Sequence, residues 1–267
     1  MYDFIATNEP VIRLSFFIGT LLVVGLWETF APKRPPSVSK IWRWSNNFGI
    51  TFFNTFLLRI LFPILAVGLA VIAKEHGWGL LNIIQLPETF AIVIAVILQD
   101  FVIYWQHVLF HHFPILWRLH KMHHADVDYD VSTGARFHPI EIILSMLLKL
   151  IVVLLLGPPV VAVIIFEILL SSIAMFNHAN AGLPPSIDKI IRLFMVTPDM
   201  HRVHHSVIRG EHNNNFGFNL PWWDYIFGTY TASPSQGHDK MTIGLDEYQE
   251  NRKQSIFWML SLPFLRK

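Results

Sequence analysis

Apolar positions in this chain gather into long blocks rather than alternating. Val11–Phe30, Phe48–Ala73 and Glu88–Trp105 are three such blocks. Ile140–Leu156 and Pro158–Asn177 form a fourth and fifth, an apolar hairpin around Gly157-Pro158-Pro159. As helix at 1.5 Å per residue, each comes near the roughly 30 Å thickness of a bilayer's hydrocarbon core. The pattern predicts an all-α chain, an integral membrane helical bundle. The second block is long enough to cross with tilt.

The breaks between blocks are polar and short. Ala31–Ser45 holds Pro32, Pro35 and Pro36, which forbid helix, and gathers Lys33, Arg34, Lys40 and Arg43. Lys74–Pro87 is a connector with turn glycines. Met1–Pro10 lacks the basic region of a signal peptide. By the positive-inside rule the basic loop is cytoplasmic, which puts the amino terminus and second connector outside. The third block then ends inside, and the hairpin returns the chain inside. Three regions are expected: a transmembrane stretch over 1–90, a catalytic region over 91–240 that includes the hairpin at 140–177, and a tail over 241–267. The apolar segment Ser255–Leu265 is too short to span and reads as an interfacial anchor.

Composition agrees with a membrane and adds a limit. Of 267 residues, 53% are hydrophobic and 15% charged, and mean hydropathy is +0.44. A formal net charge of +1 gives no basis for nucleic-acid binding. Cysteine is absent, so thiolate metal sites and disulfides are excluded.

The chemistry lies in histidines. On a helix over Asp100–His111, the 3.6-residue period stacks Asp100, Tyr104, His107 and His111 on one face. After a Phe113-Pro114 break comes His120-Lys121-Met122-His123-His124, and the same spacing returns as His201-Arg202-Val203-His204-His205. Each H-x-x-H-H aims three imidazoles within one arc, with the adjacent pair diverging by about 100°. One triplet can therefore feed two ions. Eight such histidines, with His138 and His178 as additions, exceed the three or four that one zinc needs, so two metals are expected. His212 reads as a polar loop residue.

Charges inside the blocks need partners. Lys149 and Glu167 lie at similar distances from the hairpin turn and are expected to face each other. Arg59 either pairs with Asp100 or snorkels. Asp100 either orients an imidazole N–H or only packs its helix. The aromatic run Trp222–Tyr230 either lies at the headgroup boundary or closes over the metals.

The three histidine boxes resemble those of the fatty acid hydroxylase/sterol desaturase superfamily. So do Leu116-Trp117-Arg118, Arg136-Phe137-His138-Pro139, Asn177-His178-Ala179-Asn180, Thr197-Pro198-Asp199, Asn215-Phe216-Gly217 and the stretch from Trp223-Asp224 to Tyr230. The resemblance covers about residues 95–231. Asn213 departs from it, since the family often carries Asp there. The resemblance implies a non-haem di-iron centre at the cytoplasmic surface, with two Fe ions and O2 as co-substrate. It also implies a lipid substrate in the membrane and a separate electron donor of ferredoxin or cytochrome/reductase type. By position it implies the ligands His107, His111, His120, His123, His124, His178, His201, His204 and His205, with His138 as a tenth. The reaction implied is hydroxylation or desaturation of a lipid alkyl chain, and the short termini point to a bacterial inner membrane. The same imidazoles would hold zinc. A membrane zinc hydrolase and a non-catalytic metal-binding or transport protein are therefore the competing classes. The first would want a carboxylate as in H-E-x-x-H, which no box contains. The second would want ligands strung through the spans.

Overall fold

The computed structural model describes residue 5 and residues 7–265. The membrane blocks fold as α1 (Glu9–Phe30), α2 (Lys40–Leu61), α3 (Ala66–Glu75), α4 (Leu80–Ile84), α5 (Glu88–His112), α7 (Pro139–Leu156) and α8 (Val160–Asn177). Between α5 and α7 lies the short α6 (Pro114–His124). After α8 come α9 (Pro185–Ile191), α10 (Pro198–His204), α11 (Arg209–His212), α12 (Trp222–Phe227) and α13 (Ile256–Ser261). Among the described residues there is no strand, only the isolated bridges Pro32–Ala181 and Ser206–Ile243.

Among the described residues, five segments are long and apolar enough to cross a membrane: α1, the stretch from α2 through α4, α5, α7 and α8. Their outer faces carry exposed Val11, Leu14, Leu22, Phe52, Phe56 and Ile60, side chains suited to lipid rather than water. The second span is not one helix, as the apolar block Phe48–Ala73 predicts. Helix α2 stops at Leu61, and the chain restarts as α3 at Ala66. Pro63 explains the break: it has no N–H to donate, and its ring collides with the preceding turn.

The histidines and the buried ion pairs of the cap gather at one end of the bundle. At the far end, the turn before α4 meets the hairpin tip. A Cβ on Gly79 would stand 2.2 Å from the backbone nitrogen of Gly157, and both residues have positive φ, +92° and +59°. Only glycine allows that approach. At the other end α1 finishes, α2 starts, α5 finishes, α7 starts and α8 finishes, and the non-spanning elements cap this end. Helix α1 packs along α8, α3 against α7 and α8, and α5 against α6 and α8.

The cap is locked to the bundle by buried ions. Arg43 of α2 donates from Nε to Asp126 Oδ1 (2.7 Å), from Nη2 to Asp126 Oδ2 (2.8 Å) and from Nη1 to Asp130 Oδ2 (2.6 Å). Burial works against the Asp126 carboxylate, yet Arg43 and Arg136 outweigh it and hold its pKa at about 2. Arg136 reaches Met122 O (2.9 Å) and Gln254 Oε1 (2.7 Å), tying α6 to the carboxy-terminal segment. That segment is more than an interfacial anchor. Met259 and Leu262 are fully buried against Ile50, Met122 and Ala125, while Phe257 and Phe264 remain exposed.

Candidate metal centre

Helix α5 runs past the apolar core and presents His107 and His111 one turn apart. The Phe113-Pro114 break turns the chain back, and Pro114 opens α6 at a position where its missing N–H costs nothing. Helix α6 lays His120, His123 and His124 beside them. Thr197 caps α10, accepting from Met200 N at 3.3 Å, and α10 brings His201, His204 and His205 from the opposite side. His178 ends α8.

The imidazoles sort into two groups. His107, His111, His120, His124 and His204 form one; His123, His178, His201 and His205 form the other. Within each, one nitrogen per residue can be chosen so that all lie within 4.8 Å of one another, and every residue is buried. Both H-x-x-H-H boxes split between the groups, as the 100° divergence of adjacent helical residues requires. The groups adjoin: the rings of His124 and His205 stack at 4.5 Å and 15°.

Most of the rings are oriented by an acceptor at Nδ1. His107 meets Phe216 O (2.8 Å), His120 meets Glu141 Oε1 (2.7 Å) and His204 meets Asn214 O (2.7 Å). His111 meets Asn213 Oδ1 (3.3 Å), His123 meets Arg136 O (3.2 Å) and His178 meets Ala174 O (2.7 Å). With Nδ1–H donating outward, the lone pair sits on Nε2 and points inward. The Nε2 atoms of His107, His111, His120 and His204 are buried without a partner, as are both nitrogens of His124, His201 and His205. So many orphaned buried ring nitrogens are not tolerated in a native interior unless something binds them. Burial, with help from neighbouring imidazoles, holds His123, His124, His201, His204 and His205 well below the ordinary histidine value. Burial, with a smaller contribution from His120, outweighs the Ala174 hydrogen bond and the pull of Asp126 and Asp130 and brings His178 to about 4. These rings are neutral at pH 7, the form that ligates metal. The residues fit two metal ions.

His138 lies outside both groups. Its Nδ1 caps α7, accepting from Ile140 N at 3.2 Å, and its Nε2 faces Leu260 O at 3.3 Å. His212 also stands aside, stacked on Trp117 at 5.5 Å with its Nδ1 3.3 Å from Ser206 O. Asp100 neither orients an imidazole nor meets Arg59. It accepts from Asn219 N (3.3 Å), Leu220 N (3.2 Å) and Trp223 Nε1 (2.8 Å), pinning the aromatic run to α5. That run closes over no histidine: Phe227 packs on Tyr104 (5.5 Å) and Trp105 (5.1 Å) along the flank of α5. Glu141 is a residue that histidine spacing does not reveal. The available signal was an acid in the first turn of a predominantly apolar helix.

A cavity of about 260 Å³ opens from His107, His120 and Glu141 and descends between α5, α7 and α8. Phe110, Phe137, Ile142 and Leu170 line its apolar side. At its lower end Lys149 and Glu167 face each other at 3.1 Å, as their equal distance from the hairpin turn predicts, and Arg13 of α1 joins at 2.8 Å.

An apolar helical bundle with a histidine-rich metal-binding cap defines a class of membrane protein, and comparison with known chains makes it specific. Residues 92–229 match the model of the fatty acid hydroxylase family. The chain belongs to that family, within the fatty acid hydroxylase/sterol desaturase superfamily. It is 32% identical over 227 residues to an ornithine lipid hydroxylase of Rhizobium tropici, covering 82% of this chain and 66% of the relative. It is 33% identical over 146 residues to the alkylglycerol monooxygenase of Homo sapiens (55% and 31%). Identity to a very-long-chain aldehyde decarbonylase of Oryza sativa is 27% over 157 residues (55% and 24%). The chain thus spans between a quarter and two thirds of these relatives' lengths. No solved structure matches it.

Proposed function

We propose that this protein is a di-iron lipid hydroxylase. It would insert one atom of O2 into a C–H bond of a lipid chain held in the cavity between α5, α7 and α8. The observation that carries this reading is the pair of adjoining buried imidazole groups, two of whose members, His107 and His120, line the upper end of that cavity. The balance is one C–H bond, O2, two electrons and two protons giving C–OH and water. Two iron ions held by the nine grouped histidines would supply oxygen activation. Iron is favoured over zinc because the relatives are named as a hydroxylase and a monooxygenase, and zinc has no redox chemistry. The same names favour hydroxylation over desaturation.

The chain's own residues do the rest. Glu141 and the carbonyls of Phe216 and Asn214 fix His120, His107 and His204 in one tautomer. Phe110, Phe137 and Ile142 exclude water from the reacting carbon. No dinucleotide fingerprint occurs in the sequence, so the electrons come from a separate ferredoxin or cytochrome-type donor. The basic Ala31–Ser45 loop lies at the histidine end of the bundle, which by the positive-inside rule supports a centre on the cytoplasmic face.

The test is lipid mass spectrometry on cells grown briefly under oxygen-18 gas, comparing the intact protein with His204→Ala. A lipid carrying labelled oxygen only with the intact protein is the expected result. A lipid lighter by two hydrogens, without label, would make the protein a desaturase. Equal label with both chains would remove the histidine centre from the reaction.

A further inference from the structure

The cavity is apolar on one side and polar on the other. Glu141, Ser145 and Lys149 recur every four residues of α7 and share one face. At 1.5 Å per residue this strip runs about 12 Å down from the histidines. Gln106 of α5 closes on it, its Nε2 donating to Ser145 Oγ at 2.6 Å. That bond leaves Gln106 Oε1 buried with no partner, and Glu141 Oε2 is in the same condition. The lower end is closed by contrast, because Lys149 and Arg13 both reach Glu167. The unmatched polar atoms of the strip are therefore both acceptors. Within a membrane-spanning bundle an acceptor facing hydrocarbon is costly, and one facing an ester or ether oxygen is worse.

We propose that this strip selects the substrate. The lipid it accepts carries a hydrogen-bond donor, a hydroxyl or an amide N–H, on or beside the chain to be oxidised. Gln106 Oε1 takes that donor, the chain lies along Phe110 and Ile142, and a neighbouring carbon is presented to the His107–His120 end. Bare hydrocarbon chains, and lipids whose only polar atoms near the chain are acceptors, are disfavoured. The word substrate rests on the hydroxylase reading; the binding preference does not.

The test therefore measures binding rather than turnover. The purified full-length chain in detergent micelles is titrated with two matched pairs. One pair is a long-chain alcohol and its methyl ether; the other is a secondary fatty amide and its N-methyl counterpart. Within at least one pair the donor-bearing member should bind about tenfold more tightly, the yield of one well-formed hydrogen bond. Gln106→Leu should erase that difference, and Gln106→Met serves if the leucine variant does not stay monodisperse. Gln106→Glu retains an acceptor and should retain the preference. Equal binding within both pairs, the result if water alone satisfies the strip, overturns the proposal. So does a preference that survives the loss of the Gln106 amide. Because no oxidation is read, failure here leaves the oxygen-18 experiment to stand or fall on its own.

Discussion

Glu141 Oε1 lies 2.7 Å from His120 Nδ1, so an acidic residue at the start of α7 sets the orientation of an imidazole on α6. A carboxylate acceptor at Nδ1 makes the opposite nitrogen a better ligand and holds it in place. Glu141→Ala should weaken metal binding in the His120 group by about 10- to 100-fold and leave the His178 group untouched. Graded chelator competition on the purified protein would show one metal equivalent leaving early. Loss of both equivalents together, at the intact protein's chelator concentration, would show that Glu141 has no such role.

Asn213 Oδ1 stands 3.3 Å from His111 Nδ1. A neutral amide oxygen is a weaker acceptor than a carboxylate. Asn213→Asp should therefore raise metal retention in the same group, by up to about tenfold, in the direction opposite to Glu141→Ala. The same chelator titration measures it. Faster metal loss in the variant would refute the assignment.

Much of this was legible in the sequence, for a physical reason. Helical period makes the adjacent pairs His123-His124 and His204-His205 diverge by about 100°, which is why each box can serve two groups. Which histidine joins which group is decided by the packing of α5, α6, α8 and α10. Lys149 and Glu167 were legible because a tight hairpin fixes which residues lie at equal depth. What could not be read depended on contacts between elements distant in sequence. Asp100 shares a helix face with His107, yet its carboxylate is taken by backbone N–H groups more than a hundred residues away. His138 sits in a family motif, but the start of α7 uses its ring as a cap. Pro63 was visible, and a block of continuous hydrophobicity hid the break it causes.

His138 allows the cap and ligand roles to be separated. Its Nδ1 accepts from Ile140 N, and neither ring nitrogen joins an imidazole group. His138→Ala should lower stability by about 1 kcal/mol, the usual cost of losing a helix cap, with metal content unchanged. His138→Ser restores a capping oxygen and should recover most of the loss. Thermal unfolding and metal analysis on the same samples decide it. A metal equivalent missing from the serine variant would make His138 a ligand after all.

The Arg43–Asp126 pair should matter more to the fold than any surface ion pair, because both partners are shut away from water. Asp126→Asn would leave Arg43 with Asp130 and strip Arg136 of its nearest carboxylate, 3.9 Å away. Breaking a buried pair from one side costs about 3–5 kcal/mol, most of it from the charge left behind. Asp126 also lies two residues past the box that supplies His123 and His124, so the loop that aims those rings would loosen and metal content should fall with stability. Lys40 is the milder case: it meets Glu28 at 3.1 Å with its own side chain about a third exposed and Glu28 buried. Lys40→Met should cost less than Asp126→Asn, because Glu28 keeps the N–H bonds of Val131 and Asn180. Thermal unfolding of the three proteins in one detergent would place Asp126→Asn far below the other two. If it unfolded alongside Lys40→Met, the cap would have to be held by its apolar contacts at Met122 and Met259 rather than by buried charge.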